Sequence, residues 1–386
     1  MHVTQQLIFT LGGFPLAFMK VLHIASGDLW AGAEKALYTL TVALQQSQQT
    51  CVAAVILNPG TLAERLRSAG VELLVLDESR QNIVQLARAV SLWVTKIQPD
   101  IIHTHRLKEN IIGGLVAARH RIPSVRTQHG ANEHAFGKLN LRKRLIHDVD
   151  FLTGRLLQKR VISVSEPLAV ELRSSYGSRK VCVIANGIEL SEVPPSLQDK
   201  FKPPLKIGIV GRLVPVKRVD LFLQIAQKVL ATQSPESRPA FSVIGDGPLR
   251  QELEQLRTDL GIEEQVDFIG HVDNAETYIG KLDALVICSD HEGLPMVALE
   301  AMKHHTLIVT HSIGGLPELL GHGRCGYVLE TQRVESFAEV LNNIIERPID
   351  AAQLTEIARQ QLQDHYSSQA MAQQHLVVYQ HAAATE

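Results

Sequence analysis

Glu292 and Glu300 are the two carboxylates whose spacing most directly suggests binding chemistry. The apolar run 284–288 predicts a buried strand, the polar residues 289–294 a loop, and Pro295 the first residue of a helix. Both glutamates can then accept hydrogen bonds from ligand hydroxyls, and the free N–H groups of the helix start attract phosphate. The sequence therefore predicts a site for a phosphorylated sugar. The alternative is that both glutamates only compensate the helix dipole.

A basic loop, residues 211–218, follows the predicted strand 205–210. Gly211 allows the backbone to approach a ligand closely, and Arg212 and Lys217 supply one forked and one compact cation for neighbouring phosphates. A basic loop alone is usually solvated surface. Its place after a buried strand favours binding of a diphosphate.

The length of 386 residues exceeds what one hydrophobic core usually organises and predicts two domains with a cleft between them. From Lys20 onward, strand-like runs alternate with helical patterns, which favours the α/β class with two doubly wound, Rossmann-like domains. Such sheets bind ligands outside the carboxyl ends of their strands. The predicted divisions are an extension at 1–18, a first domain at 19–190, a linker at 191–204, a second domain at 205–365 and a C-terminal helix at 366–386 that packs back on the first domain.

Composition indicates an ordinary globular protein, with 45% hydrophobic residues, 20% charged residues and a formal net charge of -2. So little net charge gives no general attraction for nucleic acid, and no such partner is expected. The four cysteines lie far apart without a C-x-x-C pair, which indicates reduced thiols of a cytoplasmic protein. The apolar run 7–18 is shorter than the roughly 18 residues of a membrane span. We interpret it as an extension before an alternative start at Met19, or else as a weak interfacial anchor.

Two segments form specific sequence motifs, Glu-Gly-Leu-Pro from Glu292 and Leu-Glu-Ala-Met around Glu300. With the loop 211–218 they resemble the E-x7-E signature and the donor loop of retaining glycosyltransferases of family 4, and the resemblance extends over residues 20–380. It implies a GT-B fold, in which two Rossmann-like domains face each other across a cleft. The donor-binding residues that the resemblance implies are Gly211, Arg212 and Lys217 at the diphosphate, Gly245 near the base, the backbone of Met296 and Val297, Glu292 at the sugar and Glu300 at the ribose.

Residues 30–34 follow the first predicted strand and resemble the glycine-rich acceptor-side loop of the family. Gly32 can approach the donor phosphate or the acceptor, and Glu34 is a candidate on the acceptor side, or else only compensates the helix dipole. The family loop usually has two adjacent glycines, where this chain has Ala31 and Gly32. His129, after another predicted strand, matches the family histidine that contacts the donor sugar.

His103 and His105 form an H-x-H pair at the end of a predicted strand, and alternation puts both on one side of it. Such a pair suggests metal ligands, but no third ligand is identified, and His291 lacks the second histidine of an H-E-x-x-H motif. No metal is therefore expected. His105 is instead a candidate residue on the acceptor side.

The segment 138–160 interleaves basic residues with leucines and predicts a locally basic, amphipathic helix. Such a helix can bind an anionic membrane surface, and many enzymes of the family act on lipid-linked acceptors. The alternative is a packed helix whose charged face is solvated.

The resemblance implies transfer of a hexosyl group from a nucleotide-diphosphate sugar to a glycan, lipid-linked or other hydroxyl acceptor, with retention at the anomeric carbon. No cofactor is expected beyond this co-substrate, because basic residues replace the metal that other folds use. The expected setting is polysaccharide or glycolipid biosynthesis in the cytoplasm or at the inner face of the membrane. The predicted catalytic residues are His129, Arg212, Lys217 and Glu292.

A sugar-nucleotide epimerase of similar fold remains an alternative, and it would act on the donor without an acceptor. A nicotinamide or flavin oxidoreductase is disfavoured, because no predicted strand is followed by G-x-G-x-x-G.

Overall fold

The computed structural model describes residues 18–130, 141–190, 196–197 and 200–384, with only the backbone of 141–143. It contains two parallel sheets with helices between successive strands, which confirms the expected α/β architecture. The predicted extension lies outside the described residues except for Phe18. Among the residues described, no helix is long and apolar enough to cross a membrane.

The first sheet has seven parallel strands in the order β3-β2-β1-β4-β5-β6-β7. Its strands are β1 Met19–Ala25, β2 Thr50–Ile56, β3 Glu72–Val75, β4 Ile101–Thr104, β5 Ser124–Gln128, β6 Arg160–Ser163 and β7 Val181–Val183. The helices between them are α1 Gly32–Gln46, α2 Thr61–Ser68, α3 Ile83–Ile97, α4 Leu107–His120, α5 Leu141–Leu156 and α6 Glu166–Tyr176. The central strands are almost wholly buried, as expected of parallel strands covered by helices on both faces.

The second sheet has six parallel strands in the order β10-β9-β8-β11-β12-β13. Its strands are β8 Lys206–Val210, β9 Ala240–Ile244, β10 Val266–Gly270, β11 Ala284–Ile287, β12 Leu307–His311 and β13 Tyr327–Leu329. Its helices are α7 Val219–Leu230, α8 Arg250–Asp259, α9 Ala275–Ile279, α10 Met296–Lys303, α11 Leu316–Leu319 and α12 Val334–Glu346. The sequence did not predict β13, because its three half-buried residues are too few to form a periodic pattern.

Strand order reverses once in each sheet, between β1 and β4 and between β8 and β11. At these switch points the loops after neighbouring strands diverge to opposite faces of the sheet and leave a crevice for a ligand. The loops concerned are those that carry residues 30–34, His105, the basic loop 211–218 and Glu292. The topology therefore brings the predicted site residues to the carboxyl edges of the two sheets.

The predicted start of one helix was wrong by one residue. Pro295 has extended dihedral angles, φ -72° and ψ 132°, and is the N-cap of α10, which begins at Met296. Helix α8 begins at Arg250, after the turn that contains Pro248. Phe201, in the predicted linker, is buried in the core of the second sheet, and its N–H donates to Asp283 Oδ1 at 2.7 Å.

The chain ends with α13, Pro348–His365, and α14, Ser368–Ala384. Helix α14 packs against α1, β4 and β5 of the first sheet. Its Leu376 and Tyr379 are buried in the same apolar cluster as Leu40 and Leu44 of α1. The last helix thus completes the core of the first sheet, although α12 and α13, which precede it, pack against elements of the second sheet.

Replacing Leu376, which is 2% exposed, by Ala is expected to lower the free energy of unfolding by about 2–4 kcal/mol, because it leaves a cavity in that core. The control is Leu92→Ala on α3, where the side chain is 74% exposed and the expected change is within about 0.5 kcal/mol. Urea denaturation followed by circular dichroism measures both. Equal effects of the two substitutions would contradict the packing of α14.

Candidate functional site

The basic loop after β8 packs backbone to backbone on the loop after β9. A Cβ atom placed on Gly245 would lie 2.0 Å from the carbonyl oxygen of Gly211, and Gly245 has φ 135°. Leu213 N donates to the Asp246 carbonyl oxygen at 3.0 Å. Glycine is required at position 245 because any side chain there would force these two loops apart.

Lys217 and Glu292 meet at the edge of the second sheet. Lys217 ends a 3₁₀ turn, Pro215–Lys217, and its Nζ lies 2.7 Å from Glu292 Oε1. Both side chains are largely covered, with 28% of Lys217 and 9% of Glu292 exposed. Arg212, by contrast, is exposed, and within the described residues its guanidinium makes no ion pair. Arg218, the third cation of the loop, pairs with Asp220 and Asp290. Within the described residues, the loop therefore offers one cation without an ion pair and two that carboxylates hold.

Glu300 forms an ion pair with the first domain, which the sequence did not predict. Lys35 Nζ, in the first turns of α1, lies 2.6 Å from Glu300 Oε1. The side chain of Glu300 is 4% exposed, and its Oε2 is buried without a partner among the described residues. A buried carboxylate oxygen without a donor is costly, so this atom is available to a ligand hydroxyl. Lys35 follows Glu34 directly, but nothing in the local sequence links it to a residue of the second domain.

The start of α10 has backbone donors but no side-chain cap among the described residues. The side chain of Met296 is 4% exposed in an apolar cluster, and Val297 packs on the same cluster. Their side chains are therefore part of the core. Their backbone N–H groups belong to the first turn, which has no intrahelical acceptors, and they point to where an anion would bind.

His129 follows β5 and contacts the loop that carries Glu292. A Cβ atom on Gly293 would lie 2.2 Å from the carbonyl oxygen of His129, so the loops of the two sheets touch there. Burial lowers the pKa of His129 to about 3, with Arg106 and His375 adding to the shift, and its imidazole is therefore neutral. This contact places His129 beside the residue that follows Glu292. Its role in catalysis stays a prediction.

Glu34 and Gly32 differ in how open they are to a ligand. The carboxylate of Glu34 accepts a hydrogen bond from Ala31 N at 3.3 Å and pairs with Arg106 Nη2 at 2.6 Å. Burial raises the pKa of Glu34, and Arg106 partly offsets this effect. These contacts fit the alternative in which Glu34 stabilises the start of α1. A Cβ on Gly32 would meet no atom within 4 Å, so space is open beside it.

The H-x-H pair has a third histidine beside it, His23 of β1, which was not identified from the sequence. One ring nitrogen from each of His23, His103 and His105 lies within 4.8 Å of the other two. Both nitrogens of His103 are already hydrogen-bonded, to Tyr379 Oη at 2.7 Å and Thr127 Oγ1 at 2.8 Å. The arrangement therefore fits a network of hydrogen bonds better than a set of free metal ligands. In the sequence, the signal for this histidine cluster is His23, a single histidine inside the apolar strand β1.

The predicted basic segment 138–160 is described only in part. Residues 138–140 lie outside the described residues, as do the side chains of 141–143. Residues 141–156 form α5, and Arg160 already begins β6. Helix α5 is fixed to β5 by the buried Arg126. The guanidinium of Arg126 pairs with Asp150 Oδ1 at 3.0 Å and also donates to Gln158 Oε1.

Two family models match the chain, Glycosyltransferase Family 4 at residues 30–192 and Glycosyl transferases group 1 at residues 197–361. The Anabaena protein Alr3699/HepE, solved in complex with UDP and glucose, superimposes with a TM-score of 0.79 at 20% identity, covering 94% of this chain and all of that one. This likeness and the two facing sheets define the GT-B fold.

Curated proteins agree with this class. An uncharacterized glycosyltransferase of Methanocaldococcus jannaschii is 27% identical over 72% of this chain and 75% of its own length. The UDP-Gal:alpha-D-GlcNAc-diphosphoundecaprenol alpha-1,3-galactosyltransferase of Escherichia coli is 23% identical over 84% of this chain and 87% of its own length. The chain belongs to the group 1, family 4 glycosyltransferases. The epimerase alternative is not favoured, since the matching models are those of glycosyltransferases.

The ion pair between Lys35 and Glu300 is expected to contribute a coupling free energy of about 1–2 kcal/mol to unfolding, because Glu300 is almost fully buried. Lys35→Met, Glu300→Gln and the double variant form the thermodynamic cycle. The matched control is the exposed pair Lys96–Glu72, for which less than about 0.5 kcal/mol is expected. Additive effects of the Lys35 and Glu300 substitutions in urea denaturation would mean that the two side chains do not interact in solution.

Proposed function

We propose that this protein is a retaining hexosyltransferase that takes its sugar from a nucleotide-diphosphate donor without a metal ion. The observation that carries the proposal is the ion pair between Lys217 Nζ and Glu292 Oε1, which are 2.7 Å apart. This pair lies at the carboxyl edge of the second sheet, where the strand order reverses. A cation for the diphosphate and a carboxylate for the sugar thus lie side by side. The buried Oε2 of Glu300 supplies a nearby acceptor for ribose hydroxyls.

Donor binding rearranges the charges that pair in the empty site. The diphosphate takes Lys217 as a partner together with Arg212 and the N–H groups at the start of α10. Glu292, released from Lys217, then accepts hydrogen bonds from hydroxyls of the donor sugar. Because the site contains its own cations, the diphosphate can be neutralised by the protein alone.

In the reaction, the bond between the anomeric carbon and the diphosphate oxygen breaks, and the acceptor oxygen bonds to that carbon on the same face. The acceptor proton passes to the departing phosphate oxygen. Arg212 and Lys217 stabilise the negative charge that grows on the leaving group. Glu292 acts as a sugar ligand and not as a nucleophile, because transfer on one face in a single step forms no covalent glycosyl-enzyme.

The nature of the relatives supports a nucleotide-sugar donor and a lipid-linked acceptor. The E. coli relative is named as a galactosyltransferase from UDP-Gal to an undecaprenol-linked sugar, and the Anabaena structures hold UDP, UDP and glucose, or UDP-glucose. We therefore place uridine diphosphate sugars first in a donor panel that also contains guanosine and adenosine diphosphate sugars. The proposed setting is polysaccharide or glycolipid biosynthesis in the cytoplasm.

Lys217→Ala is expected to lower kcat for sugar transfer by at least about 100-fold, because the leaving diphosphate loses a direct cation. Glu300→Ala is expected to raise the Kd of the nucleotide-sugar, read by thermal stabilisation. The control is Lys228→Ala, which removes an exposed lysine of α7 and leaves both quantities unchanged. Full transfer activity in the Lys217 and Glu300 variants would refute the proposal, and release of a rearranged sugar from donor alone would indicate an epimerase.

An exposed apolar stripe on α5 suggests where the enzyme meets its acceptor. Leu145 is 62% exposed, Leu152 49% and Leu156 72%, and the intervals between them place all three on one face of the helix. Arg144 and Arg155 are exposed on the flank of this stripe. Apolar side chains flanked by cations complement an anionic lipid surface, and we propose that α5 lies on such a membrane.

Replacing Leu145 and Leu152 together by Ser is expected to weaken binding to vesicles that contain phosphatidylglycerol by about tenfold or more, because each leucine loses its burial in the lipid interface. Co-sedimentation measures the bound fraction. Leu92→Ser, at a 74% exposed site on α3, is the control and leaves binding unchanged. If the unmodified protein, the double variant and the Leu92→Ser control bound vesicles equally, α5 would not be part of the membrane contact.

A further inference from the structure

Three imidazoles form a continuous chain of hydrogen bonds that ends at His129. His23 Nδ1 lies 2.9 Å from His105 Nε2, and His105 Nδ1 lies 3.3 Å from His129 Nε2. The three residues lie on β1 and at the ends of β4 and β5, which are neighbours in the first sheet. The chain therefore runs across the sheet edge, from a fully buried residue to one beside Gly293 of the opposite loop.

The two outer nitrogens of this chain have no partner among the described residues. These atoms are His23 Nε2 and His129 Nδ1, and both are buried. Burial lowers the pKa of His23 to about 3 and that of His129 to about 3, and burial with the neighbouring histidines lowers that of His105 well below its usual value. All three imidazoles are thus neutral, and each carries one proton.

Counting protons limits the chain to two states. Three neutral rings have three protons on six nitrogens, and the two hydrogen bonds use two of these protons. His105 has a single proton, so it must donate to one neighbour and accept from the other. All three rings therefore share one tautomer. If all are protonated at Nδ1, His129 presents an N–H and His23 Nε2 is bare; if all are protonated at Nε2, the reverse holds.

The surroundings of the two ends favour the first state. His23 is 0% exposed, whereas His129 is half-buried at the edge where the two sheets meet. An unpaired N–H is less tolerated in a protein interior than an unpaired acceptor. The proton that has no partner within the chain therefore belongs at His129 Nδ1. This atom is itself covered, but its residue lies at the edge where the two sheets meet, and there the oxygen of a bound ligand can accept the proton.

We propose that His105 and His23 are positioning residues that hold His129 as the Nδ1–H tautomer and direct this N–H to a hydroxyl oxygen of the donor sugar. The proposal rests on the proposed function in one respect, the identity of the ligand as a sugar. No proton is transferred. A neutral N–H donor holds the sugar without adding positive charge next to the anomeric carbon, where positive charge develops in the transition state.

The first experiment needs neither substrate nor variant. The full-length protein is labelled with ¹⁵N in its histidine rings, and long-range ¹H–¹⁵N correlation spectra report which nitrogen of each ring is protonated. We expect His23, His105 and His129 all to be neutral and protonated at Nδ1. Nε2 protonation, a charged ring or unequal tautomers at any of the three would overturn the proposal, as would stoichiometric zinc binding that removes these signals.

The second experiment breaks the chain at its centre. His105→Phe removes both hydrogen bonds, and we expect His129 to lose its single tautomer and kcat to fall about tenfold, as for the loss of one oriented hydrogen bond. His23→Gln tests the same chain from its inner end if the Phe variant folds poorly. The control is His375→Gln, because His375 is buried beside the cluster but bonds to the Met371 carbonyl oxygen at 2.8 Å and not to the chain.

The outcomes separate this proposal from the function on which it rests. If no donor in the panel supports transfer but the spectra show three Nδ1–H rings, the proposed function is refuted, whereas the hydrogen-bonded arrangement of the three histidines is confirmed. If transfer proceeds and His105→Phe leaves both kcat and the His129 tautomer unchanged, the positioning role fails and the proposed function stands.

Discussion

The apolar seam between the two sheets is the interaction on which the candidate site depends. Ala36 of α1 and Val164 after β6 are buried in one cluster with Leu294 and Met296 of the second sheet. Asn186 Nδ2 adds a hydrogen bond to the Leu294 carbonyl oxygen at 2.8 Å. Without this seam, no residue of the first sheet would lie near Glu292 or Glu300.

The seam sets two kinds of cross-sheet contact. One is steric, since Gly293 leaves no room for a side chain against the His129 carbonyl oxygen. The other is electrostatic, since Lys35 reaches Glu300 from the opposite sheet. These two contacts respond differently when one sheet moves relative to the other. The glycine contact fixes the distance of closest approach, whereas the ion pair can open when a ligand competes for the carboxylate.

Sequence periodicity predicted most of the strands and helices, because parallel strands are continuous apolar runs and the helices between them are amphipathic. The alternation of strands and helices expected from Lys20 onward is observed in both sheets. The E-x7-E segment and the basic loop were identified from their sequence motifs, since each lies within one short stretch of chain. Lys35 and His23 were missed, because their partners are 265 and 82 residues away and only the packing of the sheets brings them together.

Helix α14 also makes the first sheet dependent on residues that follow the entire second sheet. During synthesis, β1 to β7 leave the ribosome long before Leu376 and Tyr379 are available to cover Leu40 and Leu44. Until then, the apolar surface of α1 and the ring of His103 lack the helix that covers them in the final structure. The first sheet therefore cannot complete its core until α14 has been made. The second half contains what is needed to complete the first.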